Sequence, residues 1–331
     1  MKRLVAVLFL LIATSAFSQE VTTEMRIKQA EELTQTKLKP LIKKLFSAKT
    51  ADEQAKLNQD LLIIFKEAIE IPNTFDYDFD SLRQDIGILR SPDNKFRIIH
   101  WDLPKSDGTF EYYGFIQSKH TEIKKAGLFR KIKTETIQLY PLTDKSSEIK
   151  NPENAITDHK KWFGALYSKI ILKKSGGKTY YTLLGRDGND KFSQKKIIEV
   201  LTFDANGTPR FGADIFSFNK KYPKRVIFEY SATCSMSLRY SNKKDSIVFG
   251  HLAPIEPQLE GQFQYYCSDM SFDGFGFKKG KWNYGADVKA VNEKDEKDKY
   301  YNDPHDRSTT KNQSNTYKDP NGKKRKKKKA D

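Results

Sequence analysis

Carboxylate side chains are the residues of this chain best suited to acid–base chemistry. Seven of those in its β-favouring part are candidates for an acid and a base: Glu199, Asp214, Glu229, Glu256, Glu260, Asp269 and Asp273. A glycosidase needs two carboxyl groups about 5 to 10 Å apart, one of them a proton donor. Their spacing in the sequence does not show which two of these residues lie close together in the fold. Neither a Gly-x-Ser-x-Gly nor a His-Glu-x-x-His motif is present. Catalytic residues are therefore not assigned, and an enzyme is the less favoured expectation.

Aromatic side chains near the end of the β-favouring part form a candidate ligand face. Phe263 introduces this stretch, and the four residues proposed to line the face are Tyr265, Tyr266, Phe275 and Trp282. Aromatic rings stack on sugars while neighbouring amides and carboxylates bind hydroxyl groups. Alternate aromatics on a strand also pack one face of a sheet, which is the competing interpretation.

The two cysteines offer either a disulfide or two free thiols. Cys234 and Cys267 are 33 positions apart on segments that favour strands. In an oxidising compartment such a pair can form a disulfide, which would stabilise the fold by about 3 to 4 kcal/mol. Unpaired, they would behave as small buried apolar groups. With His251 as the only nearby histidine, the pair matches no zinc ligand pattern.

One oxygen-rich turn is a weak candidate for a calcium site. Asp187-Gly188-Asn189-Asp190 supplies side-chain oxygens, but Lys191 stands where the next ligand of a calcium loop would fall. A turn between two strands explains these residues without a metal. We expect neither a metal nor another cofactor.

A cluster of consecutive cations lies close to the last residue of the chain. Its members are Lys323, Lys324, Arg325, Lys326, Lys327, Lys328 and Lys329. Such a run binds anionic surfaces at roughly 1 kcal/mol per residue and loses that binding as salt rises. A solvated tail without a partner is the alternative. The net charge of +16 agrees with anionic partners.

The first 18 residues have the pattern of a secretory signal peptide. Lys2 and Arg3 precede the apolar run Leu4 to Ala13, and Ala16-Phe17-Ser18 supplies small residues for cleavage. We expect export to the periplasm or the cell envelope, with no transmembrane segment in the mature chain. Export makes lipid headgroups, lipopolysaccharide or peptidoglycan the expected partners of the basic run and makes nucleic acid unlikely.

Residues 19–73 are predicted to form a helical segment. Apolar residues recur there at three- and four-residue steps, and Pro40 is expected to kink or divide the first helix. Thr50 and Glu53 have the spacing of a capping box at the start of a second helix. The pair is expected to lay its apolar faces on the sheet that follows.

Residues 74–287 are predicted to form a large antiparallel β domain, either a sandwich, a barrel or a small propeller. Short β-favouring runs alternate with turn residues and leave no room for crossover helices between most neighbours. The runs are 86–89, 96–101, 110–117, 136–140, 166–172, 180–184, 197–203, 211–218, 225–230, 236–240, 246–249, 262–266, 272–277 and 282–284. Residues 288–331 are polar and charged, which predicts a disordered basic tail.

Within this β domain the chain resembles a group of uncharacterised exported proteins of Bacteroidota. The resemblance rests on Tyr180 to Asp190, Arg225 to Tyr230, Met236 to Tyr240, Ser271 to Phe275, Ser91 to Arg97 and Trp101-Asp102. It implies export and a shared fold, and it carries no catalytic residue. The expectation is an exported envelope protein with a binding or structural role, and the alternative is a periplasmic hydrolase of envelope glycans or peptides.

Overall fold

A computed structural model describes residues 23–125 and 131–288 of the chain. Within these ranges one helical layer and three β-sheets enclose three hydrophobic cores. The predicted signal peptide and the basic run at 323–329 lie outside the described residues.

Two helices form the first layer. Helix α1 covers 23–47 and contains a π-helical turn at Thr34–Leu38, followed by the α-helical part Lys39–Ser47. Pro40 has no N–H, so the carbonyl four residues before it loses its helical partner and the backbone widens at this point. Helix α2 is Ala51–Glu70, and the Thr50 hydroxyl accepts a hydrogen bond from the Glu53 N–H. The predicted cap is confirmed, whereas Pro40 does not divide the helix, which continues through it after the π-helical turn.

Sheet 1 is a four-stranded antiparallel meander. Its strands, in spatial order, are β1 (Gly87–Arg90), β2 (Phe96–Pro104), β3 (Phe110–Lys125) and β4 (Lys131–Thr143). One face of the sheet packs on the helices through a core that includes Ile99, Trp101 and Phe115. The predicted docking of the helical pair on the following sheet is therefore confirmed.

Sheet 2 follows sheet 1 in the chain. Its strands are β5 (Thr157–Asp158), β6 (Leu166–Ser175), β7 (Lys178–Asp187), β8 (Ser193–Phe203), β9 (Pro209–Phe211) and β11 (Arg225–Ser231). The spatial order is β5-β9-β8-β7-β6, and β11 pairs with β8 beside β9. One edge of β8 thus pairs with two shorter strands, β9 and β11.

Sheet 3 contains the remaining strands. They are β10 (Phe216–Ser217), β12 (Leu238–Ser241), β13 (Ser246–Pro254), β14 (Tyr266–Lys278) and β15 (Lys281–Gly285). The spatial order is β10-β15-β14-β13-β12. Among the described strands, β10 and β15 are the one parallel pair.

Sheet 2 has apolar residues on both faces because it lies between two cores. Leu183 packs towards sheet 1, and the next residue, Leu184, packs towards sheet 3. Ile197 and Ile198 divide in the same way. Successive side chains of a strand point to opposite faces, so a run of two apolar residues here serves two cores.

The predicted fold class is confirmed: the chain is mainly β, with antiparallel sheets after two helices. Two strand predictions are wrong. Run 211–218 divides into β9 and β10 because the chain passes there from sheet 2 to sheet 3. Run 262–266 contains a 3₁₀ turn at Phe263–Tyr265, in which the Tyr265 N–H donates to the Gln262 carbonyl. No helix within the described ranges is long and apolar enough to cross a membrane.

Candidate functional site

A cavity of about 770 Å³ lies at one end of the interface between sheets 1 and 2. We call it the acidic cavity. The turn between β2 and β3, the segment after β4, the end of β7 and the beginning of β8 all contribute to its walls. Its charged lining consists of Lys105, Asp107, Glu111, Asp144, Glu153, Asp187, Lys195 and Glu229.

The sign of the charge in this cavity is opposite to that of the chain. Six carboxylates and two lysines line it, whereas the whole chain carries a net charge of +16. A concave site with an excess of one charge concentrates field lines and attracts groups of the opposite charge. The cavity is therefore suited to a ligand with cationic or hydroxyl groups.

Asp187 is the most buried carboxylate of the cavity. The Tyr112 hydroxyl donates to Asp187 Oδ1 over 2.7 Å, and the Asn189 N–H donates to the same oxygen over 2.8 Å. The Gly188 N–H in turn donates to the Tyr112 hydroxyl oxygen. Burial raises the pKa of Asp187, and the two hydrogen bonds oppose that rise. A carboxyl group in such surroundings keeps its proton at a higher pH than an exposed aspartate.

Glu229 supplies a second, more accessible carboxylate on β11. The Ser193 hydroxyl donates to Glu229 Oε1 over 2.6 Å. Lys195 Nζ lies 4.0 Å from Glu229 Oε2 and 4.0 Å from Asp187 Oδ2, so these two carboxylate oxygens are at most about 8 Å apart. Lys195 also donates to Asn189 Oδ1 over 2.5 Å, which holds the ammonium group between the two acids.

Aromatic rings complete the lining of the acidic cavity. Phe110, Phe163 and Phe263 all contribute, and Phe263 leaves 48% of its surface exposed. Gly188 allows the Phe110 ring to approach closely, since a Cβ at this position would overlap that ring. Rings beside carboxylates are a combination that binds sugars, whose faces are apolar and whose edges carry hydroxyls.

A buried ion pair supports one wall of the acidic cavity. Arg225 on β11 and Glu199 on β8 are cross-strand partners, pair through their side chains, and are both fully buried. The Tyr167 hydroxyl donates to Glu199 Oε2 over 2.6 Å. The Arg225 guanidinium lies 5.1 Å from the centre of the Phe163 ring and also donates to the Pro152 carbonyl. Both Phe163 and Pro152 line the cavity, so the ion pair helps to position its wall.

The four aromatics predicted to share a ligand face lie in different environments. Phe275 and Trp282 are fully buried between sheets 2 and 3, and the Trp282 indole N–H donates to the Thr182 hydroxyl. Tyr265 is exposed, and Tyr266 is half-buried against the same core. The predicted face is corrected for Phe275 and Trp282, whose rings are covered by the packing of two sheets. Phe263, from the same stretch, is the aromatic that reaches the acidic cavity.

Of the other predicted residues, Cys234 and Cys267 form a disulfide that links the segment before β12 to β14. Among the predicted carboxylates, Glu229 lines the acidic cavity and Glu199 pairs with Arg225. Asp273 accepts from the Tyr284 hydroxyl and contacts His251 Nδ1 over 2.8 Å.

The turn considered for calcium is explained by its own hydrogen bonds. Asp187 and Asp190 accept backbone N–H groups within the turn, and Asn189 has the positive φ of 53° that turns favour. Within the ranges that the structure covers, no three His, Cys, Asp or Glu side chains are grouped as metal ligands.

Tyr112, Asp144 and Lys195 are members of the acidic cavity that the sequence did not single out. The Asp144 carboxylate accepts from the Tyr112 N–H and from the Ser146 hydroxyl. Tyr112 and Asp187 are 75 positions apart, and only the packing of sheet 1 on sheet 2 brings them together. The local signals of the site in the sequence are the oxygen-rich turn at Asp187, the carboxylate Glu229 and the aromatic residue Phe263.

The chain was compared with protein-family models, with curated proteins and with solved structures, and none of the three comparisons gives a match.

Proposed function

We propose that the protein is exported to the cell envelope and binds a glycan in the acidic cavity. The observation that carries this proposal is the juxtaposition of phenylalanine rings with six carboxylates in a cavity of about 770 Å³. That volume lies within the range of small-molecule sites, about 300 to 1,000 Å³. Because the carboxylates exceed the lysines, the preferred glycans carry free hydroxyl or amino groups and no acidic groups.

Two side chains would contact the ligand directly. Phe263 presents a half-exposed ring for stacking, and Glu229 presents a carboxylate whose other contacts are neutral donors and Lys195. Stacking of one ring contributes about 0.5 to 1.5 kcal/mol beyond its buried area. A hydrogen bond to a charged carboxylate contributes about 1.5 to 3 kcal/mol.

Calorimetric titration of the protein tests the proposal. The probes are chitosan oligosaccharides and uncharged oligosaccharides of equal length, with a sulfated oligosaccharide as the acidic comparison. We expect binding of the first two and weakening of about tenfold or more in Phe263→Ala and Glu229→Gln. Phe192→Ala is the matched control, because Phe192 is 70% exposed and does not line the cavity. Equal affinity of all variants, or a preference for the sulfated probe, would contradict the proposal.

Export and attachment to the envelope rest on the sequence. The signal-peptide pattern supports export, and a disulfide is a feature of oxidising compartments. The run Lys323 to Lys329 supports attachment to anionic headgroups or lipopolysaccharide. Residues 19–331 and 19–288 are incubated in parallel with isolated envelope fractions at low and high salt. Retention of the longer form alone, lost at high salt, is the expected result.

A second candidate function is hydrolysis of the bound glycan. The arrangement that favours it is Asp187, a carboxyl with a raised pKa, within about 8 Å of Glu229. A carboxyl group of raised pKa beside a second carboxyl group is the arrangement of glycosidases. Hydrolysis predicts release of reducing ends from chitosan or uncharged oligosaccharides, and loss of this release in Asp187→Asn with binding retained. Binding without any release of reducing ends would contradict hydrolysis and leave glycan binding as the function.

A further inference from the structure

Strands β3 and β4 continue beyond the rest of sheet 1 as a two-stranded ribbon. The register of β2 with β3 ends at Ser118. Beyond this residue, β3 and β4 pair with each other, and no other strand of the described ranges pairs with either of them. We call residues 121–125 of β3 and 131–135 of β4 the ribbon.

Lysine and isoleucine make up the last three cross-strand pairs of the ribbon. These pairs are Ile123–Lys133, Lys124–Ile132 and Lys125–Lys131. The two acidic residues of the ribbon, Glu122 and Glu135, belong to pairs nearer to the body of sheet 1. Two lysines directly opposite each other, as in the last pair, destabilise an antiparallel ladder. The end of the ribbon is therefore both cationic and apolar, with four lysines and two isoleucines.

A ribbon of this kind gains little stability from the protein itself. Two strands without a third strand or a packed apolar face are marginally stable in water. Lysines on an edge strand also oppose the addition of another strand, which disfavours pairing with a second copy of the chain. An anionic surface beside an apolar layer would neutralise the lysines and cover the isoleucines, and this combination is found at a membrane interface.

The ribbon begins at the end of the sheet 1 and sheet 2 interface that is opposite the acidic cavity. A cavity of about 840 Å³ at this end is lined by Lys119 and His120 at the base of the ribbon, by the first residues of β7 and by the last residues of β8. The acidic cavity is lined by the opposite ends of the same two strands.

The charges at the two ends differ in sign. Four cationic side chains and two aspartates line the cavity at the base of the ribbon, whereas two lysines and six carboxylates line the acidic cavity. Such a division of charge along the strands orients a protein on a charged surface. The end that carries the ribbon is attracted to an anionic surface, and the end that carries the acidic cavity is repelled by it.

We propose that the ribbon docks the protein onto an anionic membrane through its lysines and isoleucines. The lysines would contact the phosphate groups of the lipids, and the isoleucines would enter the boundary between headgroups and acyl chains. In this orientation the acidic cavity points away from the membrane, towards soluble ligands. The ribbon contributes no residue to the acidic cavity, and only the choice of a membrane as partner rests on the proposed export.

Cosedimentation with vesicles tests the proposal. The protein is the mature chain 19–331 in which residues 323–329 are all replaced by glutamine, so that the basic run contributes no charge. The vesicles consist of phosphatidylcholine with or without phosphatidylglycerol. We expect binding to the vesicles that contain phosphatidylglycerol, with weakening as salt rises. Failure of the tail as an attachment site leaves this result unchanged.

A fourfold variant identifies the ribbon as the contact. Its members are Lys124→Gln, Lys125→Gln, Lys131→Gln and Lys133→Gln. Each lysine near an anionic surface contributes about fivefold to the affinity, so the variant should bind about tenfold or more weakly. The substitutions remove the repulsion within the last pair, so they should not unfold the ribbon. Ile123→Thr with Ile132→Thr should also weaken binding, because threonine keeps the β-branch and is less apolar.

The matched control removes the same charge from the helical layer. It consists of Lys37→Gln, Lys39→Gln, Lys43→Gln and Lys44→Gln, at exposed positions of α1. This control should bind the vesicles as the parent chain does. Equal weakening by the control and by the ribbon variant would show attraction to net charge alone and would overturn the proposal.

Hydrogen exchange of the backbone locates the contact independently of the variants. Exchange of the N–H groups in residues 121–125 and 131–135 should slow when vesicles with phosphatidylglycerol are added. The proposal is overturned if these groups are not protected. It is also overturned if soluble glycerol phosphate or duplex DNA protects them as well as the vesicles do, because the ligand would then be a free phosphate group or a nucleic acid.

Discussion

Removal of Arg225 provides a strict test of the packing described for sheets 1 and 2. Arg225 and Glu199 are both fully buried, so Arg225→Met leaves the Glu199 carboxylate in the core with the Tyr167 hydroxyl as its remaining side-chain donor. Breaking a buried ion pair from one side costs about 3 to 5 kcal/mol, because the remaining charge is desolvated and uncompensated. Methionine fills much of the volume of the arginine stem, which keeps the cavity contribution small.

This loss is large enough to measure and small enough to leave a folded protein. Native domains are stable by about 5 to 15 kcal/mol, and 1 kcal/mol corresponds to about 2 to 4 °C in Tm for a domain of this size class. We therefore expect Arg225→Met to lower Tm by about 6 to 20 °C at pH 7, followed by circular dichroism. Arg210→Met is the control, because Arg210 is 45% exposed in its pairs with Asp158 and Asp204 and should cost less than about 1 kcal/mol.

The double variant separates the ion pair from simple loss of packing. Glu199→Gln removes the charge while keeping a group that accepts from Tyr167. When combined with Arg225→Met, it should recover at least about 2 kcal/mol relative to the sum of the single changes. Single changes that add to within about 0.5 kcal/mol would show that the two side chains do not act as a buried pair, and the explanation given for the cavity wall would fail.

Three further outcomes follow from the described contacts. Replacing Cys234 and Cys267 by serine removes a link across 33 residues and should lower the unfolding free energy by about 3 to 4 kcal/mol, measured by urea titration under non-reducing conditions. Thr50→Ala removes a helix cap and should cost about 1 kcal/mol, whereas Thr50→Ser should cost a few tenths. The hydrogen bond to Asp273 raises the pKa of His251, so its stabilisation is present below pH 6.5 and is lost as the pH rises through the folded pKa. His251→Gln should therefore lose stability at pH 5.5 but not at pH 8, by less than about 1 kcal/mol because the imidazole is 43% exposed.

Features with short-range causes could be predicted from the sequence. The cap at Thr50 and the turns between β-favouring runs depend on residues within about five positions of each other. The division of the strands among three sheets could not be predicted in this way. Leu183 and Leu184 belong to the same predicted run, and nothing local shows that they serve different cores.

The candidate site was only partly predictable for the same reason. Glu229 and the turn at Asp187 were recognised by their residue types, but their proximity depends on Lys195 and on the pairing of β8 with both β7 and β11. The aromatic stretch shows the limit most clearly. Phe263 reaches the acidic cavity and Phe275 lies in a core, although both belong to the same aromatic-rich segment.

The position of sheet 2 explains why the acidic cavity lies at strand ends. With a core on each face, the middle of β7 and β8 must be apolar, and a charged residue there needs a buried partner, as Glu199 does. Charged side chains without such a partner can occur only where the strands leave the cores. Asp187 and Lys195 occupy that position on one face, and the adjacent residues Arg186 and Lys196 project from the other face because side chains alternate along a strand. These strand ends thus supply the acidic cavity from one face only, so variants at Asp187 and Lys195 should affect its ligand whereas variants at Arg186 and Lys196 should not.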